Sequence, residues 1–326
     1  MADLTTNSKL LTLRRMPRRP LQRIQAITVA RRYFIDRQTK IQIAEELGIS
    51  RFKVARLIDE AVEAGLVRFE IDEVGELDAR LSDRLRQQYS LRNALVLAGP
   101  DLPCSALFDP LGRVAASLLE EILTDGSTLG VAWGRTLAAT ANAISRLPKI
   151  NVVQVAGGLT SLEFPQNSAE LVYRMASAGN GTAYPIFLPM WVEDPSLVKR
   201  LRTEPSLAQV LHWYDRIDVL VSGIGSWKPP VSCLHDAFSK NWKRQVLGAG
   251  VQADLCATLL DKDGSVVPSP LDSLGLAINT KQIRRIPEVI AIAGGVEKAD
   301  AILAALRGNW ITTLVTDAGV ARRLCA

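Results

Sequence analysis

The sequence predicts an α/β protein in two parts, a small helical N-terminal domain and a larger domain built on a parallel sheet. Residues 38 to 61, QTKIQIAEELGISRFKVARLIDEA, read as two short helices joined by a turn of about three residues. From about residue 90 the pattern changes to short apolar runs separated by helical segments, as expected of strands buried on both faces of a parallel sheet. The length, 326 residues, exceeds what one hydrophobic core usually fills, so two domains are expected.

Composition narrows the class. Hydrophobic residues make up 48% and charged residues 22%, and no apolar run reaches the length of about 18 residues needed to span a bilayer. The start, MADLTTNSKLLTLRRMPRRPLQ, carries a basic cluster but no apolar stretch with a cleavage site behind it. It does not read as a secretory signal, and a cytoplasmic protein is expected. Cys104, Cys233, Cys256 and Cys325 are scattered without a C-x-x-C pair, and only His212 and His235 could assist them. Neither a zinc site nor a disulfide framework follows, and the cysteines are expected to be small buried hydrophobes with one loose thiol at the C-terminus. Net charge is +5, but residues 1 to 60 hold 13 Lys and Arg against 6 Asp and Glu, a balance of +7 that leaves −2 for the remainder. Basic charge gathered on the hairpin implies a polyanionic partner, because Lys and Arg that neutralise phosphates release counterions. A solvated basic tail would give the same totals.

Taken in order, LQRIQAITVARRYFIDRQ (21 to 38) reads as a first helix with Ile24, Ile27, Ala30 and Phe34 inward and Arg23, Arg31 and Arg32 at its surface. The second helix draws its apolar face from Ile41, Ile43, Ala44 and Leu47 and ends at Gly48, which suits a left-handed closing residue. Ser50 is a good N-cap for the third, in which Val54, Leu57, Ile58 and Ala61 share one side. This last helix exposes Arg51, Phe52, Lys53 and Arg56 in its first two turns. Those positions reach base edges when a recognition helix enters the major groove by its N-terminal end. Arg bonds guanine O6 and N7 bidentately, whereas Lys53 suits a phosphate. Ser50, with Gln38, Thr39 and Lys40 at the start of the preceding helix, completes the candidate DNA-binding set. GLVRFEI (65 to 71) alternates like a short strand and predicts a wing, so the DNA-binding domain is set at residues 1 to 75. Any compact helical hairpin has a Gly turn and a charged outer face; the A-x-x-L-G-I-S order, the basic face and the wing together favour DNA.

Residues 76 to 90 are expected to form an amphipathic helical linker that couples the domains, and residues 91 to 326 the second domain. Its strands are expected in NALVLAG (93 to 99), STLGVAW (127 to 133), INVVQVAGG (150 to 158), TAYPIFLP (182 to 189), IDVLVSGIGS (217 to 226), EVIAIAGG (288 to 295) and WITTLVTD (310 to 317). A ligand crevice is expected at their carboxyl ends. In LGVAWGRTLAATANAI (129 to 144) the strand ends at Trp133, Gly134 allows a tight turn, and Arg135 and Thr136 begin a helix. Free N–H groups at a helix N-terminus, an Arg fork and a Thr hydroxyl would hold a phosphate, carboxylate or polyol oxygen, though an ordinary strand-to-helix turn reads the same way. Three other edges could face the crevice: Gly157 and Gly158, the turn from Gly223 to Ser226, and AGGVEKADAI (293 to 302), where Gly294 and Gly295 would approach a ligand and Lys298 lies one turn on. Asp254 could accept hydrogen bonds from sugar hydroxyls. GAGVQA (248 to 253) superficially suits a dinucleotide fingerprint, but KNWKRQVL before it is a poor buried strand. No hydrolytic triad or metal site assembles, and His212 and His235 are expected to pack or cap locally.

In their order and spacing, IAEELGISRFKVARLI, GVAWGRTL, VQVAGGL, VLVSGIGS, DLCATLLDKDG, RRIPEVIAIAGGVEKADAILAALRG and LVTDAG make almost the whole chain resemble the SorC family (SorC/DeoR-type) of bacterial sugar-responsive transcriptional regulators. The resemblance implies a winged helix-turn-helix joined to a Rossmann-like α/β effector domain shaped like sugar-phosphate isomerases and glucosamine-phosphate deaminases. It implies a bound sugar, polyol or sugar phosphate that alters operator affinity, usually without catalysis, in a protein that is commonly a tetramer. It further implies that Gly134, Arg135 and Thr136 hold the phosphate or terminal oxygens, that Gly157 and Gly158 form the pocket floor, and that Asp254 and Lys298 contact the sugar end. Relatives often show a G-D or G-E pair where this chain has Ala253 before Asp254. Trp191, Trp213, Trp227 and Trp242 are expected mainly to pack around the pocket.

The expectation is a cytoplasmic, homo-oligomeric repressor or activator, dimer or tetramer, that binds a pseudo-palindromic double-stranded operator under control of a small carbohydrate effector. No enzyme activity, cofactor, metal or membrane partner is expected. The alternative is a sugar-phosphate isomerase or deaminase with an appended DNA-binding module, in which Asp254 or Asp317 would serve as general base.

Overall fold

The computed structural model describes residues 20–67, 76–159 and 168–326. The chain divides into two compact units between Asp72 and Glu73. In the first, three helices follow one another: α1 (Pro20–Phe34), α2 (Lys40–Leu47) and α3 (Arg51–Glu63). Thr39 and Gln42 form a reciprocal capping box at the start of α2, and Gly48 closes it with φ 63°. Ser50 Oγ then accepts the Lys53 amide at 3.2 Å, so α3 starts where the sequence places it. Val54, Leu57, Ile58 and Ala61 are all buried, as expected.

The other two helices turn differently. Ala26, Val29 and Ala30 are the buried residues of α1, while Ile24 and Ile27 stay 60% and 45% exposed; in α2, Ile43 and Ala44 are buried and Ile41 and Leu47 are outward. Small residues let three short helices approach closely, and that outweighs burying the larger isoleucines in so thin a core. Leu66 and Val67 pack against this core. The expected wing lies, from residue 68 onward, outside the described residues.

The second unit opens with α4 (Ala79–Gln88) and then alternates β1 (Asn93–Leu97), α5 (Cys104–Ile122), β2 (Thr128–Val131), α6 (Arg135–Ala143) and β3 (Asn151–Gln154). It continues with α7 (Ser168–Ser177), β4 (Thr182–Tyr184), α8 (Pro195–Thr203), α9 (Pro205–Trp213) and β5 (Val219–Ser222). Next come β6 (Gly225–Trp227), β7 (Pro230–Val231), α10 (Cys233–Ala237), α11 (Lys240–Gly248), β8 (Val251–Leu255) and β9 (Thr258–Asp261). The chain ends through α12 (Leu271–Leu274), α13 (Thr280–Ile283), β10 (Glu288–Ile292), a 3-10 turn (Val296–Lys298), α14 (Ala299–Arg307), β11 (Thr313–Asp317) and α15 (Ala318–Leu324).

All seven apolar runs become strands of one sheet in the order β1-β11-β10-β5-β2-β3-β4, and every neighbouring pair is parallel. A second sheet, β7-β6-β8-β9, is antiparallel and was not anticipated. KNWKRQVL is helical, so GAGVQA runs from helix into strand, the reverse of a dinucleotide fingerprint. The expected linker helix belongs to this unit. Leu81 and Leu85 are buried, Asp78 N donates to Val96 O, and Ala98 N donates to Glu76 O, so α4 is laid along β1. Cys325 is not the loose thiol expected of a chain end: it is buried, and Arg84 donates to its carbonyl at 2.8 Å.

Gly112 lets α5 and α6 touch. A Cβ there would lie 2.7 Å from Ala139 Cβ and 2.8 Å from the Ala139 carbonyl carbon. Gly112→Ala is therefore expected to lower unfolding stability by about 1–3 kcal/mol, the usual cost of overpacking, measured by urea denaturation.

Candidate functional site

The cleft of the second unit opens at the carboxyl ends of β2, β5 and β10 and is closed by residues of the small sheet. After β2, Gly134 takes φ 135° with nothing within 4 Å of a Cβ position, so backbone conformation rather than space requires glycine. The α6 helix begins at Arg135 without a side-chain cap, leaving its first amides unsatisfied from within. Arg135 is exposed at the mouth, its guanidinium 5.1 Å from the centre of the Phe108 ring. A free helix N-terminus beside a guanidinium is suited to an anionic or polyol oxygen.

From the next edges come the turn after β5 and the 3-10 turn after β10. Lys298 is half-buried in the cleft wall and its Nζ donates to the Ile224 carbonyl at 2.9 Å. Burial pushes this ammonium below its ordinary range. Gly294 and Gly295 do not serve ligand approach as expected. A Cβ on them would lie 2.6 Å from Leu111 Cδ1 and 2.7 Å from Cys104 N, so they let this turn pack on α5. Glu297 accepts the Cys104 amide at 2.7 Å, fixing the start of α5 beside the cleft.

Asp254, on β8, is 4% exposed. Its Oδ2 accepts Trp227 Nε1–H at 2.9 Å and Ser232 Oγ–H at 2.6 Å. Ser232 Oγ meanwhile accepts the amides of Leu234 and His235 as the N-cap of α10, which directs its own proton to the carboxylate. Gly225 faces Asp254 across the ladder, and a Cβ there would sit 2.0 Å from Oδ2. Burial raises the Asp254 pKa against the lowering effect of these two donors and of nearby Lys298. Asp317, the other acid considered as a base, is buried with both oxygens engaged: Oδ1 by Gly295 N, and Oδ2 by Gly319 N and Val320 N.

Of the effector residues read from the sequence, Gly134, Arg135, Thr136, Asp254 and Lys298 line this cleft. Gly157 and Gly158 do not. The Gly157 amide bonds Leu276 O and the Gly158 amide bonds Leu188 O, both at 2.8 Å, and a Cβ on Gly157 would lie 2.3 Å from Pro189 O. The missing side chain of Gly157 allows backbone to lie on backbone after β3, whereas a Cβ on Gly158 would meet only Leu188 O at 3.8 Å. The sequence reading missed Phe108, Ser232 and three thiols, Cys104, Cys233 and Cys256, that line the cleft. Burial pushes all three thiols up, Cys256 to about 12, so they line it as neutral groups. Trp227 packs edge-on against His235 and Phe238 as expected, but it also grips Asp254. Only the Ser before α10 left a sequence signal, that of an N-cap.

In the first unit, Arg51, Phe52, Lys53 and Arg56 are all exposed on the first two turns of α3. Arg51 lies 5.0 Å over the Phe52 ring, and Arg56 pairs loosely with Glu60 at 3.5 Å. Thr39 and Ser50 are occupied as caps, and Lys40 is exposed at the start of α2. Gln38 Nε2 donates to Glu46 at 2.9 Å, and the same carboxylate holds Arg32 at 2.5 Å. No helix among the described residues is long and apolar enough to cross a membrane.

The sugar-binding domain family (Sugar-bind) matches residues 75–326. The chain is 25% identical over 302 residues to the deoxyribonucleoside regulator of Bacillus subtilis, covering 92% of this chain and 96% of that protein. It is 27% identical over 303 residues to the sorbitol operon regulator of Klebsiella pneumoniae, covering 91% and 96%. The crystal structure of that full-length Klebsiella regulator, SorC, superposes with a TM-score of 0.72 at 24% identity, over 93% of this chain and 99% of the other.

Asp254 gives the cleft a pH signature. Its folded-state pKa is raised above the unfolded value of about 3.9. The folded state therefore holds the extra proton in the window above that value, and this group's contribution is full below the unfolded pKa and lost as pH rises through the folded one. Asp254→Asn keeps an oxygen for Trp227 and Ser232 but removes the buried charge. Urea unfolding across the acid range is expected to show a flatter profile for the variant, with stability at neutral pH equal to or above that of the unmodified protein.

Proposed function

This chain belongs to the sugar-binding domain family of SorC-type transcriptional regulators, and from that premise we propose that its cleft holds a small carbohydrate effector that sets the affinity of α3 for an operator. The observation that carries the reading is the cleft itself. Two cations, Arg135 and Lys298, and the uncapped start of α6 converge with one buried acid, Asp254. A sugar, polyol or sugar phosphate offers the matching pair of features, hydroxyl donors for the acid and electron-rich oxygens for the cations and amides.

In this reading the first unit supplies DNA contact. Arg51 and Arg56 read base edges in the major groove, Lys53 and Lys40 hold phosphates, and the amide ends of α2 and α3, capped by Thr39 and Ser50, face the backbone of the duplex. The protein acts as a homo-oligomer on a pseudo-palindromic site in the cytoplasm. The domain binds its sugar without turnover. An isomerase or deaminase would need a free base at the substrate. Asp317 has both oxygens bonded to backbone amides, and Asp254 presents only the oxygen left over by Trp227 and Ser232.

Binding of the purified protein to the DNA upstream of its own coding sequence, titrated with sugars, polyols and their phosphates at fixed salt, tests the reading. One compound is expected to shift specific binding several-fold. No specific binding, with consumption of a sugar phosphate instead, would replace the regulator by an enzyme. Arg51→Ala and Arg56→Ala are each expected to cost about 1–3 kcal/mol of specific binding, the value of a bidentate base contact, with far-ultraviolet circular dichroism unchanged. Arg135→Ala is expected to raise the effector concentration for half-maximal response by at least about tenfold, as loss of a charged hydrogen bond does.

A further inference from the structure

We infer that Asp317 is a positioning residue that ties the effector cleft to α4, the first helix after the DNA-binding unit in the chain; the inference rests on the cleft being the effector site. Asp317 is not among the residues that line the cleft, yet it is 2% exposed and joins two elements at once. Its Oδ1 accepts Gly295 N at 2.7 Å, and its Oδ2 accepts Gly319 N at 2.9 Å and Val320 N at 3.3 Å. The first bond holds the turn whose last residue is Lys298, where Lys298 N closes on Gly295 O at 2.8 Å and Nζ reaches Ile224 O in the cleft wall. The second pair starts α15.

The far end of α15 is held just as specifically. Its Leu324 carbonyl accepts Tyr89 OH at 2.8 Å and Gln88 Nε2 at 3.0 Å, and the following Cys325 carbonyl accepts Arg84 Nη2 at 2.8 Å. All three donors stand on α4 or on the residue that ends it. Hydrogen bonds thus run from the Lys298 turn through Asp317 and the length of α15 to α4. A seven-residue helix spans only about 10 Å and does not absorb a shift at one end, so movement of the turn is passed to α4.

The chemistry requires a carboxylate. Ser or Asn would cap α15 as well, but the residue at this position must present acceptors in two directions. Asn keeps the shape and turns one N–H against another. Gly294 and Gly319 make the room, since a Cβ on either would lie 2.8 Å and 2.9 Å from the two Asp317 oxygens.

Amide hydrogen exchange on the full chain tests the tie without ligand or DNA. Lys298→Met cuts the bond to the Ile224 carbonyl and is expected to accelerate exchange of the α4 amides at least about fivefold, the low end of coupling between sites. In an Asp317→Asn background the same change is expected to speed exchange around residues 224–227 but to leave α4 where Asp317→Asn alone puts it. Arg84→Met with Gln88→Ala and Tyr89→Phe, which removes all three donors to the end of α15 and leaves the cleft and Asp317 intact, supplies a second background; there Lys298→Met is expected to reach the amides of α15 and stop. An unchanged α4 on Lys298→Met alone, or equal acceleration in every background, overturns the inference. Operator binding by the unmodified protein judges the functional reading separately.

Discussion

Because all seven strands of the large sheet are parallel, each but the last must be followed by a crossover that brings the chain back to the same end of the sheet, and the helices of those crossovers cover the sheet on both faces. Strands buried on both sides admit almost no polar side chains along their length. Polar chemistry is therefore confined to the ends, and the strand order decides which end. From β2 the chain winds outward through β3 and β4, then returns to lay β5 against the other side of β2 and winds the opposite way through β10 and β11. The loops that leave β2 and β5 diverge there, and the cleft opens between them.

Burial sets the electrostatics of the cleft. A carboxylate buried as deeply as Asp254 carries a desolvation cost that hydrogen bonds must offset. Trp227 and Ser232 supply two, but both fall on one oxygen, so the other is left to the cleft. Lys298 is treated differently. Its ammonium donates to one backbone carbonyl and has two further donors, and it is desolvated enough that its proton is held less tightly. Arg135 is exposed, its guanidinium lying over the Phe108 ring. The site thus combines one exposed cation with a half-buried cation and a buried acid whose protons are held differently from those of free side chains.

How much of this could be read in advance follows from the range of the interactions. Strands buried on both faces appear as uninterrupted apolar runs, so all seven were legible. The small antiparallel sheet was not. Its β8–β9 turn is made by Cys256 and Ala257 at φ 48° and 65°, where turn chemistry favours Asn-Gly, so the residues gave no turn signal. Helix α3 was legible because its cap and its apolar face are local, whereas the inward face of α1 depended on how closely its neighbours approach. In the cleft, Arg135 and Thr136 were legible from a strand-to-helix edge. Gly157 and Gly158 carried the same signal with a different cause, because at Gly157 glycine lets the backbone approach Pro189 rather than a ligand. Ser232 and Phe108 reach the site from elements more than 20 residues from their partners, Asp254 and Arg135.

The division of the cleft between two sheets also bears on how a bound sugar could be felt elsewhere. Arg135 stands on the main sheet's edge after β2, whereas Asp254 belongs to the small sheet through β8. A ligand alters a conformational equilibrium only through a difference in affinity between states. A ligand held by one sheet alone has little such difference when the sheets shift, but one that spans acid and cation binds best at a single separation. Lys298 lies at the join, on a turn of the main sheet and bonded to the Ile224 carbonyl where the small sheet begins. A ligand that bridges the two sheets therefore acts first on the residue whose turn is anchored to the rest of the fold, which is the arrangement an effector needs if occupancy is to become displacement.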